Sequence, residues 1–208
     1  EDLPTDQYVA IEGANGLIAA IADAHLLETT GDEILTPLFA GPFGTFARPF
    51  SGTVSLDGNL TLGLLEEIAV SPLFAKCDLR VAPASPGKAE RLMPFLDHRR
   101  ALLYVNLEEA MLLCNTHYAT TYEAANALLA KGASRVLVTD GANPACDGNA
   151  REMIVQSPPD VLATRVTGAG DTFMATHMAA ELAGNSRGAA LRRALYAAAR
   201  YVSGDTAL

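Results

Sequence analysis

Thr167-Gly168-Ala169-Gly170-Asp171 opens a long alanine-rich stretch and reads as the start of a helix. Its two glycines let the backbone approach a ligand closely and adopt angles closed to residues with a β-carbon. A helix that begins here turns unpaired N–H groups and the positive end of its dipole toward the turn, where negative charge is favoured. The loop of Gly168, Ala169 and Gly170 therefore reads as an anion hole. A carboxylate in the first helical turn, Asp171, sits beside the place where the anion would bind. It is suited to act as a general base, taking the proton of an attacking hydroxyl while the loop N–H groups stabilise a transferring phosphoryl group. The alternative is that Asp171 complements the helix dipole and the glycines only turn the chain. The run is not a Walker loop, lacking a Gly-Lys-Ser/Thr ending, nor a Rossmann fingerprint, because Phe173 stands where a third glycine is needed. PASPGK at 83–88 also lacks the first glycine of a Walker loop.

Outward from this turn, strand-like and helix-like segments alternate. RVLVT at 135–139 follows a helix ending at Lys131-Gly132 and precedes a glycine turn, the pattern of a buried parallel strand. Further strands are expected at 53–56, 79–82 and 101–105, and helices at 61–70, 87–97, 107–113, 120–131, 169–183 and 187–202. Asp147-Gly148 reads as a hairpin turn and Ser157-Pro158-Pro159 as a loop. The small residues of the last helix permit close packing. This alternation predicts an α/β layered fold with a mainly parallel sheet. YVAIEGANGLIAAI at 8–21 reads as a β-hairpin turning at Asn15-Gly16, and residues 31–52, with Pro37, Pro42 and Pro49, as a loop-rich excursion. The expected division is a hairpin at 1–25, a connection at 26–52 and an α/β core at 53–208.

Among 208 residues, 50% are hydrophobic and 19% charged, which fits one compact core and excludes a disordered chain. A net charge of -9 offers no basic field for a nucleic-acid backbone, so small-molecule partners are expected. Cys77, Cys114 and Cys146 are widely spaced and read as buried free thiols, while His25, His98, His117 and His177 share no metal-ligand spacing. For His177 packing is favoured over catalysis. No run reaches the roughly 18 to 20 apolar residues of a membrane span, and a cytoplasmic location is expected.

The stretch Gly168-Ala169-Gly170-Asp171-Thr172-Phe173 resembles the signature of the ribokinase family, or PfkB carbohydrate kinases. Asn106-Leu107-Glu108-Glu109 is similar to the family's Asn-x-x-Glu motif, and Val138-Thr139-Asp140-Gly141 resembles its nucleotide-side turn. The resemblance implies an ATP-dependent kinase acting on a hydroxyl of a sugar or nucleoside, with Asp171 as base and residues 168–170 around the phosphates. It implies that Asn106 and Glu109 arrange Mg2+ through water, and that Thr139, Gly141 and Thr167 approach the nucleotide. For Asn106 and Glu109 a helix cap is an equal alternative.

Pro83-Ala84-Ser85-Pro86-Gly87-Lys88-Ala89 is similar to a segment of the family's pseudouridine kinases, as are Val166-Thr167 and the hairpin ending at Ala22-Asp23. That branch implies pseudouridine as substrate and Lys88 as a substrate contact, the alternative for Lys88 being a solvated helix-start lysine. Asp57-Gly58-Asn59 resembles the family's Asp-x-Asn element, or is an ordinary polar turn. Arg165 departs from the aspartate common before the threonines, so monovalent-cation details do not carry over. The chain is expected to begin at the lid, without the family's leading strands and Gly-Asn-rich sugar segment. A homodimer through the lid is expected. The alternatives are a kinase of a simple sugar or sugar phosphate, and an inactive nucleotide-binding relative.

Overall fold

The computed structural model of the chain describes residues 4–13 and 16–204. β1 (Tyr8–Gly13) and β2 (Gly16–Ala22) pair antiparallel, as the apolar runs predict. Of the expected Asn15-Gly16 turn, Asn15 lies outside the described residues. The side chains of Tyr8, Val9, Ile11, Ile18 and Ile21 are exposed on this hairpin. Asp6 ties the hairpin's base to α1 (His25–Thr30) by accepting the N–H groups of Leu26 and Leu27 at 2.9 and 3.1 Å. The connection is more ordered than its prolines suggest. A 3-10 turn (Gly31–Leu35) and α2 (Thr36–Phe39) follow α1, with Pro37 in the first turn, where a missing N–H costs nothing.

The core strands are β3 (Thr53–Asp57), β4 (Asp78–Ala82), β5 (Ala101–Asn106), β6 (Arg135–Asp140), β7 (Asn143–Asn149) and β8 (Met153–Gln156). They lie in that order in one sheet, parallel from β3 to β6 and antiparallel from β6 to β8. Helices α3 (Leu62–Val70), α4 (Leu107–Cys114) and α5 (Thr121–Ala130) surround the larger core cluster, whereas α6 (Ala169–Leu182) and α7 (Arg187–Ser203) surround the smaller one. Because side chains alternate along a strand, Leu103 and Val105 of β5 enter the larger cluster, and Leu102 and Tyr104 the smaller. Strands buried on both faces explain the continuous apolar runs.

RVLVT forms the buried strand expected of it, parallel to β5, and has an antiparallel neighbour in β7. Two expectations are corrected. The helix expected at 87–97 is a 3-10 segment, Pro86–Phe95, whose internal Pro94 removes a donor an α-helix would use. Asp147-Gly148 is not a turn but the inner part of β7, because Asp147 is fully buried between the guanidinium groups of Arg135 and Arg187. The three cysteines are buried and free, as expected. No helix among the described residues is long and apolar enough to cross a membrane.

Candidate active site

The parallel strands all end on one side, and a cleft of about 610 Å³ opens over their carboxyl ends. This is where open α/β sheets bind ligands. Asp57 ends β3, Ala82 ends β4, and Asn106 and Thr139 come from the ends of β5 and β6; all line the cleft. Tyr8 reaches it from the hairpin, and Tyr201 from α7.

Gly168, Gly170 and Asp171 line the cleft at the start of α6. Side-chain oxygens of Thr61, Asn106, Thr120 and Ser186 cap α3, α4, α5 and α7, but among the described residues no side chain caps α6. The Ala169 N–H donates to the Val166 carbonyl at 3.1 Å, which leaves the first-turn N–H groups of Gly170 and Asp171 to an anion. Gly168 holds φ +88° in the left-handed region, and a β-carbon there would lie 2.7 Å from the Tyr201 hydroxyl. That hydroxyl donates to the Thr167 carbonyl at 2.8 Å, while the Arg165 guanidinium covers the Tyr201 ring at 3.9 Å and its Nε donates to the Tyr201 carbonyl. The glycine turn is therefore clamped by the end of α7. The Asp171 carboxylate is exposed and makes no hydrogen bond among the described residues.

Asn106 and Glu109 form a reciprocal capping box. The Asn106 side-chain oxygen accepts the Glu109 N–H, and Glu109 Oε2 accepts the Asn106 N–H, each at 2.8 Å. Both line the cleft. Burial pushes the Glu109 carboxyl up to about 7; the Asn106 N–H opposes that rise and the charge of Glu108 adds to it. Among the described residues no group of three or more His, Cys, Asp or Glu side chains is placed to hold a metal. The box engages one oxygen of each partner and leaves Glu109 Oε1 outside it. That suits a hydrated Mg2+, which keeps several waters, better than a cage of direct ligands.

Thr167 and Thr139 line the cleft, and Thr139 also borders a second, more apolar pocket of about 250 Å³. Gly141, Pro158, Pro159, Val161, Leu195 and Ala198 line that second pocket. Ala169 faces this pocket rather than the cleft, so the three residues of the expected anion hole divide between two cavities. Lys88 is not on the cleft wall. Its ammonium donates to Asn59 Oδ1 at 2.6 Å, and Asn59 in turn donates to Asp57. Among the described residues, the charged ones lining the cleft are Asp57, Glu109 and Asp171, all acidic. His177 is fully buried, and burial lowers its ring to about 4, as suits its expected packing role.

A glycine turn and a first-turn acid at the start of α6, set over the carboxyl ends of a mainly parallel sheet, define a ribokinase-like α/β domain. Residues 50–205 match the family described as pfkB family carbohydrate kinase, and the chain belongs to that family. It is similar to a carbohydrate kinase from Agrobacterium tumefaciens, with 27% identity, a TM-score of 0.70, and coverage of 96% of this chain and 62% of that one. Ribokinase from Thermotoga maritima shares its fold at 20% identity and a TM-score of 0.73, over 96% of this chain and 64% of that one. Phosphofructokinase-2 from Escherichia coli shares it at 20% identity and a TM-score of 0.60, over 73% and 51%. The chain spans less than two thirds of the length of these relatives. No curated protein matches it in sequence.

Proposed function

We propose that the protein transfers the γ-phosphoryl group of ATP to a hydroxyl of a sugar or nucleoside. The observation that carries this reading is the exposed Asp171 carboxylate at the uncapped start of α6, inside the cleft. The substrate oxygen forms a bond to the γ-phosphorus, the bond to the bridging oxygen of ADP breaks, and Asp171 accepts the hydroxyl proton. The N–H groups of Gly170 and Asp171 receive the charge on the transferring group. Thr139, Gly141 and Thr167 approach the nucleotide, whose base suits the apolar second pocket with Ala169 on its wall. When bound, Mg2+ neutralises phosphate charge, with Asn106 and Glu109 holding its waters.

The acceptor is uncharged, with pseudouridine favoured through the resemblance of residues 83–89. A second phosphate on the acceptor would meet the carboxylates of Asp57, Glu109 and Asp171 and raise the cost of binding. Lys88 acts on the acceptor through Asn59. Residues 1–25 serve as the lid, 26–52 as its connection and 53–208 as the core. The exposed apolar hairpin serves as the contact of a homodimer, and the free thiols suit a reducing cytoplasm. The test is ADP release with pseudouridine, ribose, adenosine and fructose 6-phosphate. Highest turnover is expected on pseudouridine and least on fructose 6-phosphate, and no turnover on any of them overturns the kinase reading.

A further inference from the structure

Helix α6 carries Asp171 at one end and, about 15 Å along its axis at the usual rise per residue, Glu181 near the other. Phe173, His177 and Glu181 recur every fourth residue and share one face, which lies against the sheet. The apolar part of that contact is Phe173 and Met174, with Met178 partly buried beside them. Apolar burial is non-directional and methionine adapts to shifts, so this contact alone specifies the axial position of the helix poorly.

The polar part is directional. Glu181 Oε2 accepts Arg80 Nη1 of β4 at 2.6 Å, and Oε1 pairs with Arg135 Nη1 of β6 at 2.7 Å. From β5, the strand between them, Tyr104 presents its hydroxyl to Arg80 at 3.3 Å and to His177 Nδ1 at 2.9 Å. Through one hydroxyl, Tyr104 thus joins Arg80 of the sheet to His177 of the helix. Each arginine has a second carboxylate, Asp78 for Arg80 and Asp147 for Arg135. Three adjacent strands therefore grip one turn of one helix at fixed points.

We infer that Glu181, held between Arg80 and Arg135, is a positioning residue that sets the register of α6 and so places Asp171 and the glycine turn over the cleft. Buried ion pairs add little net stability, but fixing one register among several is their best-attested use. This rests on the kinase reading only where Asp171 is treated as the base. An error of about 1 Å at a reacting group can cost about 100-fold in rate.

Glu181→Gln leaves each arginine one carboxylate, so the sheet side of the network stays paired. It is expected to lower kcat about 10- to 100-fold while the KM for ATP stays within about 3-fold. In an Asp171→Asn background the same change is expected to alter residual turnover by less than about 2-fold, because Glu181 acts through Asp171. Amide exchange at residues 168–173 is expected to quicken about 10-fold, with β5 and β6 unchanged. Arg80→Lys, which keeps the charge but loses the fork, is expected to give the same pattern more weakly, and it decides the matter if Glu181→Gln does not fold. Unchanged exchange at 168–173, or equal losses of turnover in both backgrounds, overturns the proposal. If the protein transfers phosphate to no acceptor, the kinase reading fails while the exchange measurement still decides whether Glu181 sets the helix.

Discussion

Asn106 and Glu109 each accept the other's backbone N–H at 2.8 Å, so a single pair of side chains starts α4 and faces the cleft at once. Burial raises the Glu109 carboxyl from 4.5 to about 7 and lowers His177 from 6.5 to about 4. The two act in opposite directions. The Glu109 contribution is fully present below pH 4.5 and is lost as pH rises through 7, on the order of 3 kcal/mol. The neutral His177 contribution is present above pH 6.5 and is lost as pH falls toward 4, by a similar amount. Between pH 6.5 and 4.5 they offset each other in the wild type. Glu109→Gln is expected to leave His177 unopposed, so thermal melts should show stability falling on acidification across that window; a flat profile in the variant contradicts the assignment.

Binding of MgATP should favour the ionised form of Glu109. Carbon-detected NMR of the side-chain carboxyls is expected to show the Glu109 midpoint moving below its ligand-free value when MgATP is added. An unmoved midpoint would remove Glu109 from the cation's surroundings.

Asp171→Asn is expected to lower turnover about 100- to 10,000-fold, the usual range for loss of a general base. ATP affinity, measured by calorimetry, should stay within about 3-fold, since the loop N–H groups are untouched. An active variant would exclude Asp171 as the base.

Gly168→Ala forces a β-carbon into the left-handed region and against the Tyr201 hydroxyl at 2.7 Å. The backbone strain alone costs about 1 to 2 kcal/mol, so the melting temperature should fall and the clamp on Thr167 should loosen. Gly170→Ala meets nothing within 4 Å and its φ is not positive. It should melt like the wild type but bind ATP more weakly, because the added methyl stands at the turn proposed to receive the phosphates.

Asp147 is buried between Arg135 and Arg187. Burial opposes its charge, yet the two guanidinium groups outweigh burial and hold the carboxyl below its usual value of 3.8. Its stabilisation is present above pH 3.8 and is lost as pH falls through the lower folded value. Asp147→Asn leaves Arg135 paired with Glu181 alone and Arg187 with Glu152 alone, and should cost about 1.5 to 3 kcal/mol in denaturant unfolding.

Much of the fold was legible because its signals are local. Apolar runs of strand length, side-chain caps and the glycine turn each lie within a few residues, so β3 to β6 and α3 to α7 fall close to where periodicity puts them. Asp147-Gly148 misleads for the opposite reason. Its turn preference is a property of two residues, whereas the partners that hold Asp147 in a strand lie 12 and 40 positions away. The same limit applies to the site. The Gly168 to Asp171 turn and the Asn106 and Glu109 pair announce themselves by spacing. Tyr201 carries no local sign of its contact with Thr167, 34 positions distant, and Lys88 shows its bond to Asn59 only once β3 and β4 are neighbours. Tyr8 looks like any exposed aromatic on a hairpin until the cleft is seen beneath it.

The Tyr201 clamp also has a temporal meaning. A chain emerging from the ribosome presents the strands, then the glycine turn, and only afterwards the helix whose last turn holds that turn in place. The glycine turn therefore leaves the ribosome 34 positions ahead of the tyrosine that clamps it, and is completed only when residues 187–203 have emerged and folded back.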